Sequence, residues 1–173
     1  MTKSDYRTVK NLILGAGNIV ITSHYNPDGD AVGSAMAMYH ALKCINPNVV
    51  VVLPNRFPDF LRWLPGAEDV IIFVRNDYRF MSSIFNKAGI IFCLDYNTPS
   101  RVENMEETLR NAMGTKILID HHPQPDTEAF QYLLSRTSAS STAELVYEFL
   151  EETIDASYDS EQRVFDIIMI FTF

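Results

Sequence analysis

Apolar residues in this chain gather in short unbroken blocks, separated by longer stretches where apolar and polar residues recur at helical spacing. The blocks at 18–23 (NIVITS), 49–53 (VVVVL), 70–74 (VIIFV), 90–94 (IIFCL) and 116–119 (KILI) are rich in β-branched residues and read as strands. None alternates cleanly between apolar and polar, so each expects cover on both faces, as the strands of a parallel sheet do. Between them, 5–14, 31–45, 78–87 and 101–112 carry the helical pattern. The last opens on Ser100-Arg-Val-Glu103, the spacing of a capping box. A further edge strand is expected at 130–134. A helix is expected at 141–152, with Ala143, Leu145, Val146, Phe149 and Leu150 on its apolar face. Strand–helix repetition of this kind predicts an α/β fold: an open, doubly wound, mostly parallel sheet with helices on both faces. Neither an internal repeat nor a linker interrupts it. Pro54, Pro58 and Pro65 punctuate one irregular stretch, 54–66, which holds the sole tryptophan, Trp63. That stretch is expected to be a connection packed on the edge of the core.

Composition narrows the class. A length of 173 residues suits one domain, and 47% apolar with 21% charged residues is the make-up of a globular protein. Fourteen Lys and Arg against twenty-two Asp and Glu leave a net charge of −8. That balance argues against a broad basic surface for duplex nucleic acid. It leaves phosphate substrates open, because bound divalent cations can reverse the local field. Cys44 and Cys93 both lie in apolar stretches and read as free buried thiols of a reducing compartment. The N-terminus lacks the long apolar core of a signal peptide, and no apolar run approaches the roughly 18 residues needed to span a bilayer. A cytoplasmic protein without a membrane partner is expected.

Candidate chemistry collects where the strands end. In open α/β sheets, ligands bind beyond the carboxyl ends of strands. The first predicted strand is followed by His24-Tyr-Asn-Pro-Asp28-Gly-Asp30, the fourth by Asp95, and the fifth by Asp120-His121-His122. Asp28 and Asp30 alone would read as a turn with Asp30 capping the next helix. Turn and capping chemistry does not account for histidines at two strand ends beside unpaired acids. Carboxylates that converge without Lys or Arg repel one another, and a cation is the simplest remedy. Mixed imidazole and carboxylate ligands without thiolate suit Mn²⁺, Fe²⁺ or Co²⁺ better than a structural zinc site. The ligands outnumber the needs of one ion. Two ions about 3.5–4 Å apart would suit phosphoryl chemistry.

These residues resemble a known family. His24-Tyr-Asn-Pro-Asp-Gly-Asp-Ala-Val-Gly-Ser34, then Asp95, then Asp120-His-His-Pro123, look like the first three motifs of the DHH phosphoesterases. Ser140-Ser-Thr-Ala-Glu-Leu-Val-Tyr147 is similar to the segment that follows in the branch of bacterial oligoribonucleases and 3′-phosphoadenosine 5′-phosphate phosphatases. The resemblance implies a manganese-dependent phosphoesterase built on this family's α/β N-terminal domain. Carried over by position, it implies that His24 and Asp28 hold one ion, Asp30 and His121 the other, and that Asp95 bridges them. It further implies that His122 contacts the scissile phosphate or protonates the leaving oxygen, while Asp120 supports the histidines. Gly33 and Ser34 belong to the matched motif; otherwise they read as close helix–sheet packing and an ordinary helix position.

Two family features are not matched. The resemblance implies a fourth aspartate near another strand end, but aligning Ile168-Met169 and Thr172 with that segment places Phe171 there. Asp166 falls five residues earlier. The second ion is therefore expected to bind more weakly. The family's smaller C-terminal, substrate-gripping domain is expected to be absent from residues 1–173, making the chain a truncated catalytic domain. At the apolar end, Val164, Ile167 and Ile168 are expected to dock on the sheet, while 171–173 are left either to dock or to associate copies into a homo-dimer. The function expected is metal-dependent hydrolysis of phosphoester bonds in short oligonucleotides or 3′-phosphonucleotides. A polyphosphatase or pyrophosphatase, and an inactive metal-binding remnant, are the alternatives.

Overall fold

A computed structural model describes residues 1–154. Among these residues, six strands form one sheet in the order β3-β2-β1-β4-β5-β6, and every neighbouring pair is parallel. They are β1 (Ile19–Ser23), β2 (Val49–Leu53), β3 (Ile71–Ile72), β4 (Ile90–Leu94), β5 (Thr115–Asp120) and β6 (Tyr132–Ser135). Five α-helices accompany them: α1 (Lys3–Gly15), α2 (Gly29–Lys43), α3 (Tyr78–Lys87), α4 (Glu106–Asn111) and α5 (Thr142–Thr153). The strand order reverses between β1 and β4, so the crevice at a doubly wound sheet's switch point opens between their carboxyl ends.

Burial on both faces explains the unbroken apolar strands. Ile19 and Ile21 of β1, Phe92 and Leu94 of β4, and Ile117 and Ile119 of β5 pack on one face with α1, α2 and α5. Val20, Ile91, Cys93 and Leu118 point the other way, against Met81 and Phe85 of α3 and Leu109 of α4. Both cysteines are free. Cys93 is buried as expected, and burial pushes its thiol up to about 12. No helix among the described residues is long and apolar enough to cross a membrane.

The structure corrects several local expectations. Residues 101–112 are not one α-helix: Pro99–Met105 forms a 3₁₀ segment, broken at Glu103 (φ 43°, ψ −107°), and α4 covers only six residues. Ser100 does not form the capping box; its hydroxyl bonds the Thr98 hydroxyl at 2.7 Å. The reason is tertiary, because the Arg101 carbonyl accepts the Tyr25 N–H at 2.8 Å and ties this segment to the loop after β1. Asp28, not Asp30, caps α2, accepting the Ala31 N–H at 3.1 Å. Cys44 is exposed, since it lies beyond the buried face of α2. Trp63 is also exposed, and Leu61 and Leu64 make the core contacts of the 54–66 stretch instead. The edge strand β3 shortens to two residues. The expectations for Val164, Asp166, Ile167, Ile168 and Phe171 lie outside the described residues.

Candidate metal centre

All seven predicted site residues come to the carboxyl rim of β1, β4 and β5. His24 follows β1, Asp28 and Asp30 bracket the start of α2, Asp95 follows β4, and Asp120 ends β5 with His121 and His122 just beyond. Asp95 sits in the left-handed region (φ 64°), a conformation that aspartate tolerates better than most residues. This turn sets the buried carboxylate at the switch point.

Two imidazole–carboxylate groups meet at that carboxylate. His24 Nε2 lies 3.5 Å from Asp95 Oδ2 and 3.9 Å from Asp28 Oδ1. His121 Nε2 lies 3.7 Å from Asp95 Oδ1 and 3.7 Å from Asp30 Oδ2. One oxygen of Asp95 therefore faces each group. Among the described residues, the ion-pair partners of Asp28, Asp30, Asp95 and Asp120 are histidines only.

The imidazoles are oriented from behind. His24 Nδ1 donates to the Tyr25 carbonyl at 2.8 Å, and His121 Nδ1 faces the Ala139 carbonyl at 3.4 Å. An Nδ1–H spent on a carbonyl leaves the Nε2 lone pair aimed at carboxylate oxygens. Lone pairs facing each other at 3.5–3.9 Å repel unless a cation or proton lies between them. The donor set fits a divalent cation on this ground, and His24, Asp28 and Asp95 form one group able to hold it. His122 is turned differently: its Nδ1 meets Asp120 Oδ1 at 2.7 Å. That contact separates His122 from His121, a distinction adjacency in sequence leaves open. Asp95, His121 and His122 nevertheless lie close enough to form a second possible ligand group.

The charges respond to this crowding. Burial, then the Asp95 charge, push the Asp30 carboxyl up to about 6. Burial also acts to raise Asp95, but hydrogen bonds from His24 and Thr142 outweigh it and hold that carboxyl below its ordinary range. Burial acts to lower His24, yet bonds to Asp95 and the Tyr25 carbonyl leave it raised. Asp120 is raised by burial, and its Oδ2 is a buried atom without a hydrogen-bond partner.

Four hydrogen bonds were not assigned by sequence reasoning. Thr142 Oγ1 donates to Asp95 Oδ1 at 2.7 Å, the Thr142 and Ala143 N–H groups donate to Asp30, and Ser34 Oγ donates to Asp30 Oδ1 at 3.2 Å. Thr142 and Ser34 lie in matched motif segments; that was the available signal, but it carried no geometry.

A doubly wound sheet with imidazoles and carboxylates gathered at its switch point defines an α/β protein with a candidate metal centre. The model of the DHH family's N-terminal domain matches residues 18–170, and the chain belongs to that family. It is 30% identical over 151 residues to the cyclic-di-AMP phosphodiesterase GdpP of Bacillus subtilis, covering 83% of this chain and 22% of that protein. It is 30% identical over 135 residues to the bifunctional oligoribonuclease and PAP phosphatase NrnA of Thermus thermophilus, covering 78% of this chain and 37% of that one. The crystal structure of an exopolyphosphatase-related protein from Bacteroides fragilis superposes with a TM-score of 0.90 at 33% identity, covering 97% of this chain and 48% of that one. The chain thus spans less than half the length of each of these relatives.

Proposed function

We propose that this chain carries the catalytic centre of a Mn²⁺-dependent phosphoesterase acting on short oligonucleotides or 3′-phosphonucleotides. The observation that carries the reading is the Asp95 carboxylate, whose two oxygens face two separate imidazole–carboxylate groups at 3.5–3.7 Å. His24 and Asp28 would hold one ion, Asp30 and His121 the second, and Asp95 would serve both. Manganese is favoured because borderline imidazole and hard carboxylate ligands occur together without thiolate. A bound pair of divalent ions supplies polarisation of a phosphoryl oxygen and a nucleophile at neutral pH.

The chain's own residues orient the reaction. Asp120 accepts the Nδ1 proton of His122 and fixes its tautomer, leaving Nε2 to address substrate from a side chain 37% exposed. With a second proton on Nε2, in the imidazolium form that pairs with the Asp120 carboxylate, it can hydrogen-bond a phosphate oxygen or give that proton to the leaving oxygen. The proposed catalytic group is His122, with Asp120 as its orienting partner.

The nucleotide substrate is suggested by the NrnA relative's name and the matched Ser140–Tyr147 segment. The name of the Bacteroides fragilis structure, at 33% identity over nearly the whole chain, favours polyphosphate or pyrophosphate as the second reading. GdpP adds a cyclic dinucleotide to the candidates. Hydrolysis of a dinucleotide, a 3′,5′-bisphosphonucleotide, a cyclic dinucleotide and pyrophosphate, each with Mn²⁺, tests the proposal. Turnover of the first two that is lost in His122→Ala supports it. Turnover of pyrophosphate alone transfers the assignment to the second reading. With none turned over and no Mn²⁺ bound, the catalytic reading fails.

A further inference from the structure

No role has yet been given to the polar groups of Ser140-Ser-Thr-Ala-Glu144, yet this segment meets two carboxylates of the centre, Asp30 and Asp95. Thr142 is fully buried, and its hydroxyl donates to Asp95 Oδ1 at 2.7 Å across 47 residues of sequence. The Thr142 N–H donates to Asp30 Oδ2 at 2.8 Å, and the Ala143 N–H donates to Asp30 Oδ1 at 2.9 Å. Thus one dipeptide at the first turn of α5 holds one carboxylate from the end of β4 and another from the start of α2.

That turn is built to be rigid. Ser141 caps α5 by accepting the Glu144 N–H at 3.1 Å. Glu144 Oε2 in turn accepts the Ser140 N–H at 2.8 Å and its hydroxyl at 2.9 Å. The N–H groups of Thr142 and Ala143, the first two residues of the helix, have no partner inside it, and Asp30 takes both. The positive end of the helix dipole also favours the negative charge that Asp30 and Asp95 bring together.

We propose that Thr142 is a positioning residue of the cation centre. Its hydroxyl fixes the rotation of the Asp95 carboxylate so that Oδ1 faces the His121 group and Oδ2 the His24 group. Its backbone N–H, with that of Ala143, holds Asp30 in the second group. This inference rests on the two-cation reading and adds to it a residue that contacts neither ion nor substrate. Without the hydroxyl, Asp95 is free to turn about its terminal bond. The two oxygens then no longer arrive pre-aligned, and each binding event must first order them.

The test is Mn²⁺ binding by calorimetry, with the electron paramagnetic resonance of the bound ions, for wild type, Thr142→Val, Thr142→Ser and Asp95→Asn. Valine keeps the shape and removes the hydroxyl, and is expected to weaken Mn²⁺ binding about 10–100-fold, as loss of an orienting partner does. Serine, which restores the donor, is expected to return affinity and spectrum close to wild type. A merely structural role would lower the metal-free melting midpoint of Thr142→Val while the folded protein still bound Mn²⁺ normally. Wild-type binding by Thr142→Val beside lost binding in Asp95→Asn would overturn the positioning role alone. Undiminished binding in Asp95→Asn would overturn the cation reading beneath it. Where valine prevents folding, Thr142→Ala makes the same deletion in a residue that favours helix, and is read by the same criteria.

Discussion

The two ends of the sheet solve opposite problems. At the amino ends of the strands, polar groups are satisfied by direct bonds. Asn46 Nδ2 donates to the Ala16 carbonyl at 2.7 Å, Asn48 Nδ2 to the Gly17 carbonyl at 3.0 Å, and the Gly89 N–H to the Asn18 carbonyl at 2.9 Å. Packing there is close enough that a Cβ on Gly114 would lie 2.4 Å from the Ala88 carbonyl oxygen. At the carboxyl ends, Asp95 is in a left-handed turn, Asp120 Oδ2 is buried without a hydrogen-bond partner, and imidazole Nε2 atoms stand 3.5–3.7 Å from carboxylate oxygens. One end is saturated, and the other is organised around unmet electrostatic demand. Buried polar groups left this way cost stability, and such residues concentrate at functional sites.

Four substitutions and one change of condition should separate the two ends. The largest effect is expected for His122→Ala at the carboxyl rim, which should lower hydrolysis about 10²–10⁴-fold, the range of general acid–base groups. Mn²⁺ affinity should be unchanged. Loss of one bound equivalent in a calorimetric titration would instead make His122 a ligand. Asp95→Asn comes next. Orienting partners alone are worth roughly 10–100-fold in metal affinity, so losing the shared ligand's charge should exceed about 100-fold at both sites. Asp28→Asn should weaken one site only, and equal losses in the two variants would refute the sharing.

Gly114→Ala tests the saturated end. Forcing a methyl against the Ala88 carbonyl should cost about 1–3 kcal/mol in chemical denaturation while leaving Mn²⁺ affinity as in wild type. The smallest effect is a pH dependence. Asp30 is raised from 3.8 to about 6, so the metal-free folded state binds the extra proton. Its contribution to metal-free stability should fall as pH rises from about 4 to about 6 and level off above. Mn²⁺ must displace that proton, so the midpoint shift on adding Mn²⁺ should grow between about pH 5 and about pH 7. A shift independent of pH would remove Asp30 from the ligands.

Sequence alone was enough for the strands that built the sheet and for the residues at its rim, because both depend on local signals. Unbroken apolar runs such as Ile90–Leu94 have one reading when covered on both faces, and a strand end followed by Asp120-His121-His122 is visible without a structure. Tertiary demand decided the remainder. Ser100 to Glu103 has capping-box spacing, but the Arg101 carbonyl is taken by Tyr25, and the helix shortens to α4. Trp63 faces solvent because Leu61 and Leu64 fill the available core. The different roles of His121 and His122 rest on which nitrogen meets Ala139 and which meets Asp120. Asp30 and Thr142 are 112 residues apart, beyond any sequence pattern.

The central claim is that Asp95 joins two cations into one centre, and magnetic coupling reads it most directly. Mn²⁺ would be titrated into the protein while its electron paramagnetic resonance is followed beyond one equivalent. Ions sharing a carboxylate about 3.5–4 Å apart should replace the signal of isolated Mn²⁺ with that of an exchange-coupled pair as the second site fills. Two equivalents that bind and give only the summed signal of isolated ions, or saturation at a single equivalent, would contradict it.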